Sequence, residues 1–480
     1  MFSDTVSLPL WVFLLLAAFA SMGLFHYFLS PWFRRIYHKR AINTSHILDD
    51  KLSHGLTPHA SRRRSLWIDK LLSDPEVVTA IAEETQSSNQ SASDIQRSAE
   101  QYAQELVPSF NVLLYFRLGY WLARSFLRFL YRVKVGYTSE KQYDKIDPDS
   151  CIVIVSNHRS NVDPFFLIYL ASRRAAISYS AGEWARGFPF QHLLHAIGFY
   201  IIRRDSGSSL YRKMLERYVF LAASDCIPQG LFIEGGLSRD GKMQPLKLGM
   251  LNYVTKALEQ GSCKDIVFVP AALNYDKIPE DKTLLAHQEQ GFKSKGRFYS
   301  ILSFAKFIVQ LLPHILPHQH KPFGYACVNY GDPISLKQWQ QQNGFDLTKC
   351  DSSERKQAIG QLGEEIAQQI EQHLPILPVS ILSAIFIQQG DQAISELDLK
   401  VKASELFIQL RSQGRYMLVP KRDEDYALEQ GLYTLSKRGM IIEVEEGLYQ
   451  ADTDHLAMFE YYRNSLGEFE ASVDQAGAPR

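Results

Sequence analysis

The chain has 480 residues, of which 46% are hydrophobic and 22% charged, as in ordinary globular proteins. Its 52 basic and 52 acidic side chains give no net charge, so no nucleic-acid partner is expected. The cysteines are scattered and form no C-x-x-C pair, which excludes a disulfide framework and indicates reduced thiols in a cytosolic compartment. They are Cys151, Cys226, Cys263, Cys327 and Cys350.

The first predicted element is a transmembrane anchor over residues 6–33. This stretch contains no Lys, Arg, Asp or Glu, and a bilayer-spanning helix needs about 20 apolar residues. Arg34 and Arg35 follow at once, which predicts that the rest of the chain lies on the cytoplasmic side. A cleaved signal peptide is the alternative, but the residues before the apolar run carry Asp4 and no basic residue. We therefore expect a single-pass protein of a bacterial-type inner (plasma) membrane.

Residues 34–105 are interpreted as a helical connector, and residues 110–135 as a second apolar segment of a different kind. In the latter, arginines recur at spacings that place them in one stripe of a helix. They are Arg117, Arg124, Arg128 and Arg132. Aromatic and aliphatic residues fill the rest, with no acid, which predicts an amphipathic helix in contact with membrane lipids. The alternative is a helix that packs its apolar face on its own domain.

From residue 150 onward, short apolar runs alternate with helical patterns, which predicts an α/β fold with a mostly parallel sheet flanked by helices. The predicted strands are 151–156, 175–180, 199–203, 231–235, 266–271 and 326–330. Predicted helices between them include 210–224 and 248–260. This sheet would form a domain over residues 106–340. Sheets of this type bind ligands at the carboxyl ends of their strands.

The region 350–470 is predicted to be a small helical domain. Residues 352–412 follow helical patterns. Residues 424–451 form a helical pattern followed by IIEVEEGLYQA, in which a glycine marks the bend of a hairpin. An interaction module resembling a winged helix is the alternative to a domain that packs on the rest of the chain.

Residues that could perform chemistry follow the first strand of the α/β region, in VSNHRSNVDPFF. A histidine beside a carboxylate has a fixed tautomer and a raised basicity. His158 could then remove a proton from a hydroxyl group, with Asp163 as its partner, in the general-base step of acyl transfer. The alternative is a histidine that caps a helix. Ser156 and Ser160 flank His158 and would permit a covalent route, although serines so close in sequence usually belong to caps and loops.

Three more strand ends carry residues of interest. GFYIIRR ends in Arg204, whose guanidinium suits a phosphate but could equally be a surface charge. IVFVPA ends a fourth predicted strand at Pro270. FIEGGLSRDGK contains paired glycines that allow close backbone approach, together with polar and basic side chains. Its candidate binding residues are Glu234, Gly235, Ser238 and Arg239, with Lys242 beside them.

The four stretches together resemble, in order and spacing, the four sequence blocks of the glycerolipid acyltransferases. NHRSNVD matches the H-x4-D block, GFYIIRR the second, FIEGGLS the third and IVFVPA the fourth. Within that family the chain is most similar to the glycerol-3-phosphate acyltransferases and their dihydroxyacetone-phosphate relatives. NYGDPISL at 329–336 and EYYRNSLGEF at 460–469 resemble further segments of these enzymes.

The resemblance implies an enzyme that transfers a fatty acyl group from acyl-CoA or acyl-carrier protein to glycerol-3-phosphate. It implies that His158 and Asp163 are catalytic, and that Arg204 and Arg239 bind the phosphate with help from Ser238. Glu234 would bond a glycerol hydroxyl or position the arginines. No cofactor is expected besides the acyl donor, and no His, Cys or carboxylate cluster has the spacing of a metal site.

One residue departs from the family pattern. The family usually has Arg where this chain has Leu237, so one expected phosphate ligand is missing. Lysophosphatidate acyltransferase, which uses the same four blocks, is therefore an alternative function. A non-catalytic membrane adaptor is an alternative of another class, although the intact His158–Asp163 pair weighs against it.

Overall fold

The structure is a computed structural model, and it describes residues 64–467 with several gaps. The gaps are 89, 111–114, 116–118, 139, 172–176, 183–189, 204–206, 261–262 and 287–321. The predicted anchor at 6–33, residues 34–63 of the connector, Arg117 and Arg204 therefore lie outside the described residues. Among the helices that are described, none is both long enough and apolar enough to cross a membrane.

The main sheet of the described region has eight strands and is mostly parallel, as predicted. The strands are β1 (Arg132–Tyr137), β2 (Cys151–Ser156), β3 (Ser178–Ala181), β4 (Phe199–Ile201), β5 (Gln229–Phe232), β6 (Ile266–Tyr275), β7 (Tyr325–Tyr330) and β8 (Ile334–Ser335). Their order is β1-β7-β6-β2-β5-β3-β4, and β8 pairs with β6. All pairs are parallel except those of β6 with β7 and β8. The carboxyl ends of β2, β3, β4, β5 and β6 thus lie at one edge.

Helices fill the connections and the C-terminal region. They are α1 (Arg64–Leu72), α2 (Pro75–Ser87), α3 (Ala92–Leu106), α4 (Tyr120–Leu130), α5 (Glu140–Tyr143), α6 (Asp163–Ala171), α7 (Phe190–Ala196), α8 (Ser209–Ser224), α9 (Gly249–Glu259), α10 (Asp281–Ala286), α11 (Leu336–Asn343), α12 (Ser352–Gln372), α13 (Pro378–Gln389), α14 (Glu396–Ser412), α15 (Glu424–Lys437) and α16 (Leu456–Arg463). Short 3₁₀ turns occur at Pro420–Arg422, Thr453–His455 and Asn464–Leu466.

Both faces of the sheet are covered, as a parallel sheet requires. Side chains of a strand alternate between faces, and β2 shows this directly: Val153 and Val155 join one apolar cluster, and Ile154 joins the other. The first cluster includes side chains of α1, α2, α3, α8, α9, α11 and α12. The second includes side chains of α4, α6 and the C-terminal helices α13 to α16.

The predicted strands are found with small shifts, but β6 is longer than predicted. It continues past Pro270 to Tyr275, so Pro270 lies within a strand and not at its end. Proline lacks an N–H and is rare in central strands. Here the carbonyl of Pro270 points to the side where it accepts from Gly331, 3.0 Å away. On that side β8 pairs with β6 at residues 267–268 and β7 pairs with it from Ala271 onward. Pro270 occupies the corner between these partners, where no ladder donor is required.

The helix predicted over residues 110–135 is wrong at its C-terminal end. The described helix α4 ends at Leu130, and Arg132–Tyr137 forms β1, which pairs with β7 in parallel. Valines alternate in RVKVGY, a period that suits a strand and not a helix. The guanidinium of Arg132 donates to Gln430 at 2.7 Å and to Tyr426 at 2.9 Å. This arginine therefore contacts the protein rather than lipid.

The predicted C-terminal elements are present. Helices α12, α13 and α14 occupy the predicted helical stretch, and α15 is followed by a hairpin. The hairpin strands are β10 (Ile441–Glu445) and β11 (Leu448–Ala451), and β11 also pairs with β9 (Ile394–Ser395). The boundaries of a separate domain at 350–470 stay a prediction.

Candidate active site

The loop after β2 places the histidine of the H-x4-D motif. Asn157 directly follows the strand, and its side-chain amide exchanges two hydrogen bonds with the backbone of Leu273, at 2.9 and 2.8 Å. This side chain continues the ladder between β2 and β6 beyond the end of β2. The residue that comes next, His158, therefore starts from a fixed position at the edge of the sheet.

His158 and Asp163 form a buried pair. The imidazole Nδ1 lies 2.9 Å from Asp163 Oδ2, and only 10% of the His158 side chain is exposed. The same carboxylate oxygen accepts the backbone N–H groups of Arg159 at 2.7 Å and Ser160 at 3.0 Å. The hydroxyl of Tyr275 donates to the other oxygen. Asp163 is also the first residue of α6, where the helix dipole favours a negative charge.

The geometry selects which ring nitrogen of His158 can act as a base. Since Nδ1 is bonded to Asp163, Nε2 is the nitrogen that remains for a substrate proton. The ring of Phe232 stacks on the imidazole, with centroids 4.0 Å apart. Burial raises the pKa of Tyr275 well above its ordinary value, and the nearby Asp163 charge raises it further. Tyr275 therefore remains a neutral donor to Asp163.

Glu234 attaches the segment after β5 to residues 157–162, the loop after β2 that contains the candidate base His158 and that we call the catalytic loop. We call residues 233–248, which connect β5 to α9, the β5 loop. The Glu234 carboxylate accepts the backbone N–H of His158 and that of Gln244, each at 2.7 Å, and the residue is 4% exposed. Burial raises its pKa to about 7, although both N–H bonds oppose the rise. Its oxygens face the backbone and not an exposed basic residue.

Ser238 completes the attachment. Its backbone N–H donates to the carbonyl of His158 at 2.8 Å, so both backbone polar groups of His158 bind the β5 loop. Its hydroxyl donates to the Lys242 carbonyl at 2.7 Å and accepts from the Gly241 N–H at 3.0 Å. The hydroxyl expected to assist a phosphate is thus used inside the loop.

The other candidate positions of the β5 loop are exposed cations, a packed leucine and two glycines. Arg239 and Lys242 are exposed and available to an anion. Leu237 is half-buried and packs against an apolar cluster. Gly235 has φ +63°, and a Cβ there would come within 2.8 Å of the Lys247 side chain, which explains the glycine. The N–H of Gly236 makes no hydrogen bond to the described part of the chain.

The other predicted residues lie apart from this loop. Pro270 is buried inside β6 opposite Val155, so it shapes the sheet edge. The hydroxyl of Ser156 donates to the Asn157 carbonyl at 2.9 Å, and that of Ser160 to the Glu280 carboxylate at 2.8 Å. Neither serine donates to His158, and the covalent route gains no support from the geometry.

Arg159 is a site residue that the sequence analysis missed. It is 4% exposed, and its guanidinium donates to Asn274 Oδ1 at 2.8 Å and to the Gly241 carbonyl. It therefore joins β6 to the β5 loop directly behind His158. Its place next to the histidine was a signal that could have been used. Tyr275, by contrast, lies at the far end of an apolar strand with nothing in the sequence to single it out.

The arrangement at this sheet edge is that of a hydroxyl-activating site: a buried His–carboxylate pair beside a loop with exposed cations. Comparison of the sequence with protein-family models points to the same kind of chemistry. The family model for an acyltransferase matches residues 138–274. The model described as the glycerol-3-phosphate acyltransferase C-terminal region matches residues 308–469. The chain thus carries an acyltransferase domain and a glycerol-3-phosphate acyltransferase C-terminal region, in agreement with the resemblance of its four sequence blocks to the glycerolipid acyltransferases.

Curated relatives carry the name glycerol-3-phosphate acyltransferase. That of Pseudomonas putida is 26% identical over 424 residues, which cover 85% of this chain and 49% of the relative. That of Pseudomonas fluorescens is 26% identical over 432 residues with the same coverage, and that of Pseudomonas aeruginosa 25% over 424 residues. The chain spans about half the length of the curated relatives it matches.

A solved structure is also similar, the 1-acyl-sn-glycerophosphate (LPA) acyltransferase PlsC of Thermotoga maritima. It is 13% identical with a TM-score of 0.30, over 64% of this chain and 94% of that one.

Proposed function

We propose that the chain transfers a fatty acyl group from acyl-CoA or acyl-carrier protein to a hydroxyl of glycerol-3-phosphate. The observation that carries the proposal is the His158–Asp163 pair, 2.9 Å apart and buried at the carboxyl end of β2. The names of the relatives support glycerol-3-phosphate as the acceptor. The product would be lysophosphatidate, an intermediate of phospholipid synthesis.

The reaction is a direct transfer. His158 Nε2 takes the proton of the acceptor hydroxyl, and Asp163 stabilises the imidazolium that forms. The acceptor oxygen attacks the thioester carbonyl, and the tetrahedral intermediate collapses as the carbon–sulfur bond breaks. The imidazolium then returns its proton to the leaving thiolate, which restores the neutral histidine.

The oxyanion needs donors close to His158. The N–H groups of Arg159 and Ser160 are bonded to Asp163, and that of Asn161 to Glu280. These donors at the start of α6 are therefore in use. The N–H of Gly236, which lies between Glu234 and Ser238 in the β5 loop, is the better candidate.

Basic residues would bind the acceptor phosphate. Arg239 and Lys242 are exposed on the β5 loop, and Arg204 would add a guanidinium from the stretch after β4. Glu234 and Ser238 act one step away, because their polar atoms bond to backbone groups of the two loops. Their role is to hold the catalytic loop and the β5 loop together.

The acyl chain and the product belong in a bilayer, and we place the enzyme there. Residues 6–33 would anchor the chain, with the catalytic region on the cytoplasmic face of a bacterial-type inner (plasma) membrane. On α4, Trp121 is 59% and Leu122 39% exposed, and Arg124 and Arg128 are exposed beside them. Such a face suits the lipid interface. Removal of 6–33 should shift the protein from the membrane fraction toward extraction by salt, and unchanged fractionation would refute the anchor.

The test of function is an acyl-transfer assay in membranes with two acceptors and two donors. Glycerol-3-phosphate should be acylated, and His158→Ala should retain less than about 1% of the activity. Preference for 1-acylglycerol-3-phosphate would instead assign a lysophosphatidate acyltransferase. A folded wild-type protein that acylates neither acceptor would support the membrane adaptor.

A further inference from the structure

The C-terminal segment of the described chain reaches the β5 loop. This segment, Leu456–Leu466, consists of α16 and the 3₁₀ turn after it. The side-chain amide of Asn464 donates to the backbone carbonyl of Asp240 at 2.9 Å. At the next residue, Gly241, a Cβ would lie 2.0 Å from the carbonyl oxygen of Tyr461. The two backbones therefore meet without room for a side chain.

The segment is itself firmly attached to the rest of the protein. The Tyr462 hydroxyl donates to the Asp281 carboxylate at 2.7 Å and accepts the Ile278 N–H at 3.1 Å. The hydroxyls of Ser465 and Ser380 are 2.7 Å apart. Tyr462 is almost completely buried. A contact from this segment can therefore fix the position of a loop.

The contact falls between Arg239 and Lys242, two of the exposed cations of the β5 loop. Asp240 and Gly241 separate Arg239 from Lys242 in the sequence. From the catalytic side, the Arg159 guanidinium donates to the Gly241 carbonyl, and the Ser238 hydroxyl accepts the Gly241 N–H. From the other side, the C-terminal segment donates one hydrogen bond, from the Asn464 amide to the Asp240 carbonyl. The Asp240 carboxylate accepts from Lys242 and Gln244, which belong to the β5 loop itself. The turn that carries the cations is thus clamped between the catalytic loop and the C-terminal segment.

We propose that Asn464 and Tyr461 are positioning residues that set the affinity for the acceptor phosphate by fixing the turn at Asp240–Gly241. The inference rests on the proposed function, since it assigns the phosphate to this turn. Asn464 acts through its hydrogen bond, and Tyr461 acts through the close approach of its backbone. Neither touches His158, so the loss should appear in KM for the acceptor more than in kcat.

The first test replaces the Asn464 amide. Asn464→Asp keeps the shape but puts an acceptor oxygen opposite the Asp240 carbonyl. We expect KM for glycerol-3-phosphate to rise about five- to tenfold, the range of one hydrogen bond, with kcat changed less than about twofold. Asn343→Asp is the matched control, because its amide also donates to a backbone carbonyl, that of Trp339, at 2.9 Å. The control should leave both constants unchanged.

The second test uses the close approach at Gly241, where φ is +81°. Gly241→Ala adds both backbone strain and a collision with Tyr461, and should raise KM more than about tenfold. Gly414→Ala is the control: φ is +72° there, and nothing lies within 4 Å of the added Cβ. It carries the strain without the collision, so KM should stay at the wild-type value.

Hydrogen–deuterium exchange gives a readout that needs no activity. Exchange of amides in peptides covering 237–244 should increase in Asn464→Asp and not in Asn343→Asp. The inference is overturned if this exchange is unchanged, or if KM in Asn464→Asp and Gly241→Ala stays within twofold of wild type while only thermal stability falls. A wild-type protein that transfers no acyl group would refute the proposed function instead, and the exchange result would still test the clamp.

Discussion

The carboxylate of Asp163 has two separable roles, and replacement by asparagine should divide them. It accepts two backbone N–H groups and one hydroxyl, and it also places a negative charge beside His158. Asp163→Asn keeps an acceptor oxygen for the N–H groups. Its new amide can face Tyr275, whose hydroxyl can turn to accept. The fold should therefore persist while the charge is lost.

The size of the loss follows from the distance. Charges centred about 4 Å apart interact by about 4 kcal/mol at an effective dielectric constant of about 20. This energy stabilises the imidazolium that forms when His158 takes the proton, and each 1.36 kcal/mol is a factor of about ten in rate. We therefore expect kcat of Asp163→Asn to fall about 10³-fold. Its free energy of unfolding should stay within about 1 kcal/mol of wild type.

Asp163→Ala should behave differently. It leaves the N–H groups of Arg159 and Ser160 and the hydroxyl of Tyr275 buried without an acceptor, at about 1–3 kcal/mol each. Several kcal/mol of stability should be lost together with activity. Activity is measured as release of CoA thiol in the presence of glycerol-3-phosphate, and stability by urea unfolding.

Asp391→Asn, at an exposed position, controls for the chemical change alone. If Asp163→Asn retained kcat within tenfold of wild type at normal stability, the charge would not contribute to catalysis. The assignment of His158 as the base would then fail with it.

Three further predictions concern the surroundings of the site. Burial raises the pKa of Glu234 to about 7 from an ordinary 4.5. The fold therefore favours the protonated form of Glu234. The unfolding free energy of wild type should fall by about 3 kcal/mol relative to that of Glu234→Gln as pH rises from 4.5 to 7. Urea unfolding of both proteins at the two pH values measures this, and an equal difference between them at both values would contradict it. Leu237→Arg should lower the free energy of unfolding by about 1–3 kcal/mol through lost packing, and KM for glycerol-3-phosphate should stay unchanged. A fall in KM would show that position 237 faces the phosphate. Asp281→Ala should lower the free energy of unfolding by about 3–5 kcal/mol, because Arg438 is left buried without its partner. The double variant with Arg438→Met should recover part of that loss. Equal melting temperatures for the single and double variants would argue against this explanation.

The central strands were predictable because each is a short apolar run bounded by polar residues. β2 is found at its predicted bounds, Cys151–Ser156. β1 was missed because its alternating valines directly follow an apolar helix, and because its partner β7 begins at Tyr325, far along the chain. Pairing over such a separation leaves no local signal that would identify the partner strand. The full length of β6 was missed for a related reason, since a proline usually ends a strand and only its two partners make this one tolerable.

The contact between His158 and Asp163 was predictable, because a short turn brings the histidine back to a carboxylate at the start of a helix. The contacts of Glu234, the acid of the third sequence block, were not predictable. The sequence shows Glu234 beside basic residues, which suggests ion pairing, but its oxygens bind the backbone of His158 and Gln244. That outcome depends on how closely the two loops approach. The same holds for Tyr275, which reaches Asp163 only because β6 extends past the end of β2.

The bonds from the β5 loop to both backbone groups of His158 have a consequence for substrate choice. These bonds tie His158 to the β5 loop, and the C-terminal segment restrains the turn at Asp240–Gly241. Together they limit how far the distance between the candidate base and the basic turn can change. Under the proposed function, such a site would select by length: a hydroxyl would be accepted when it stands at the right number of bonds from a phosphate. A rigid spacing of this kind would discriminate between isomeric polyol phosphates that carry identical groups, without any contact to the carbon chain between them.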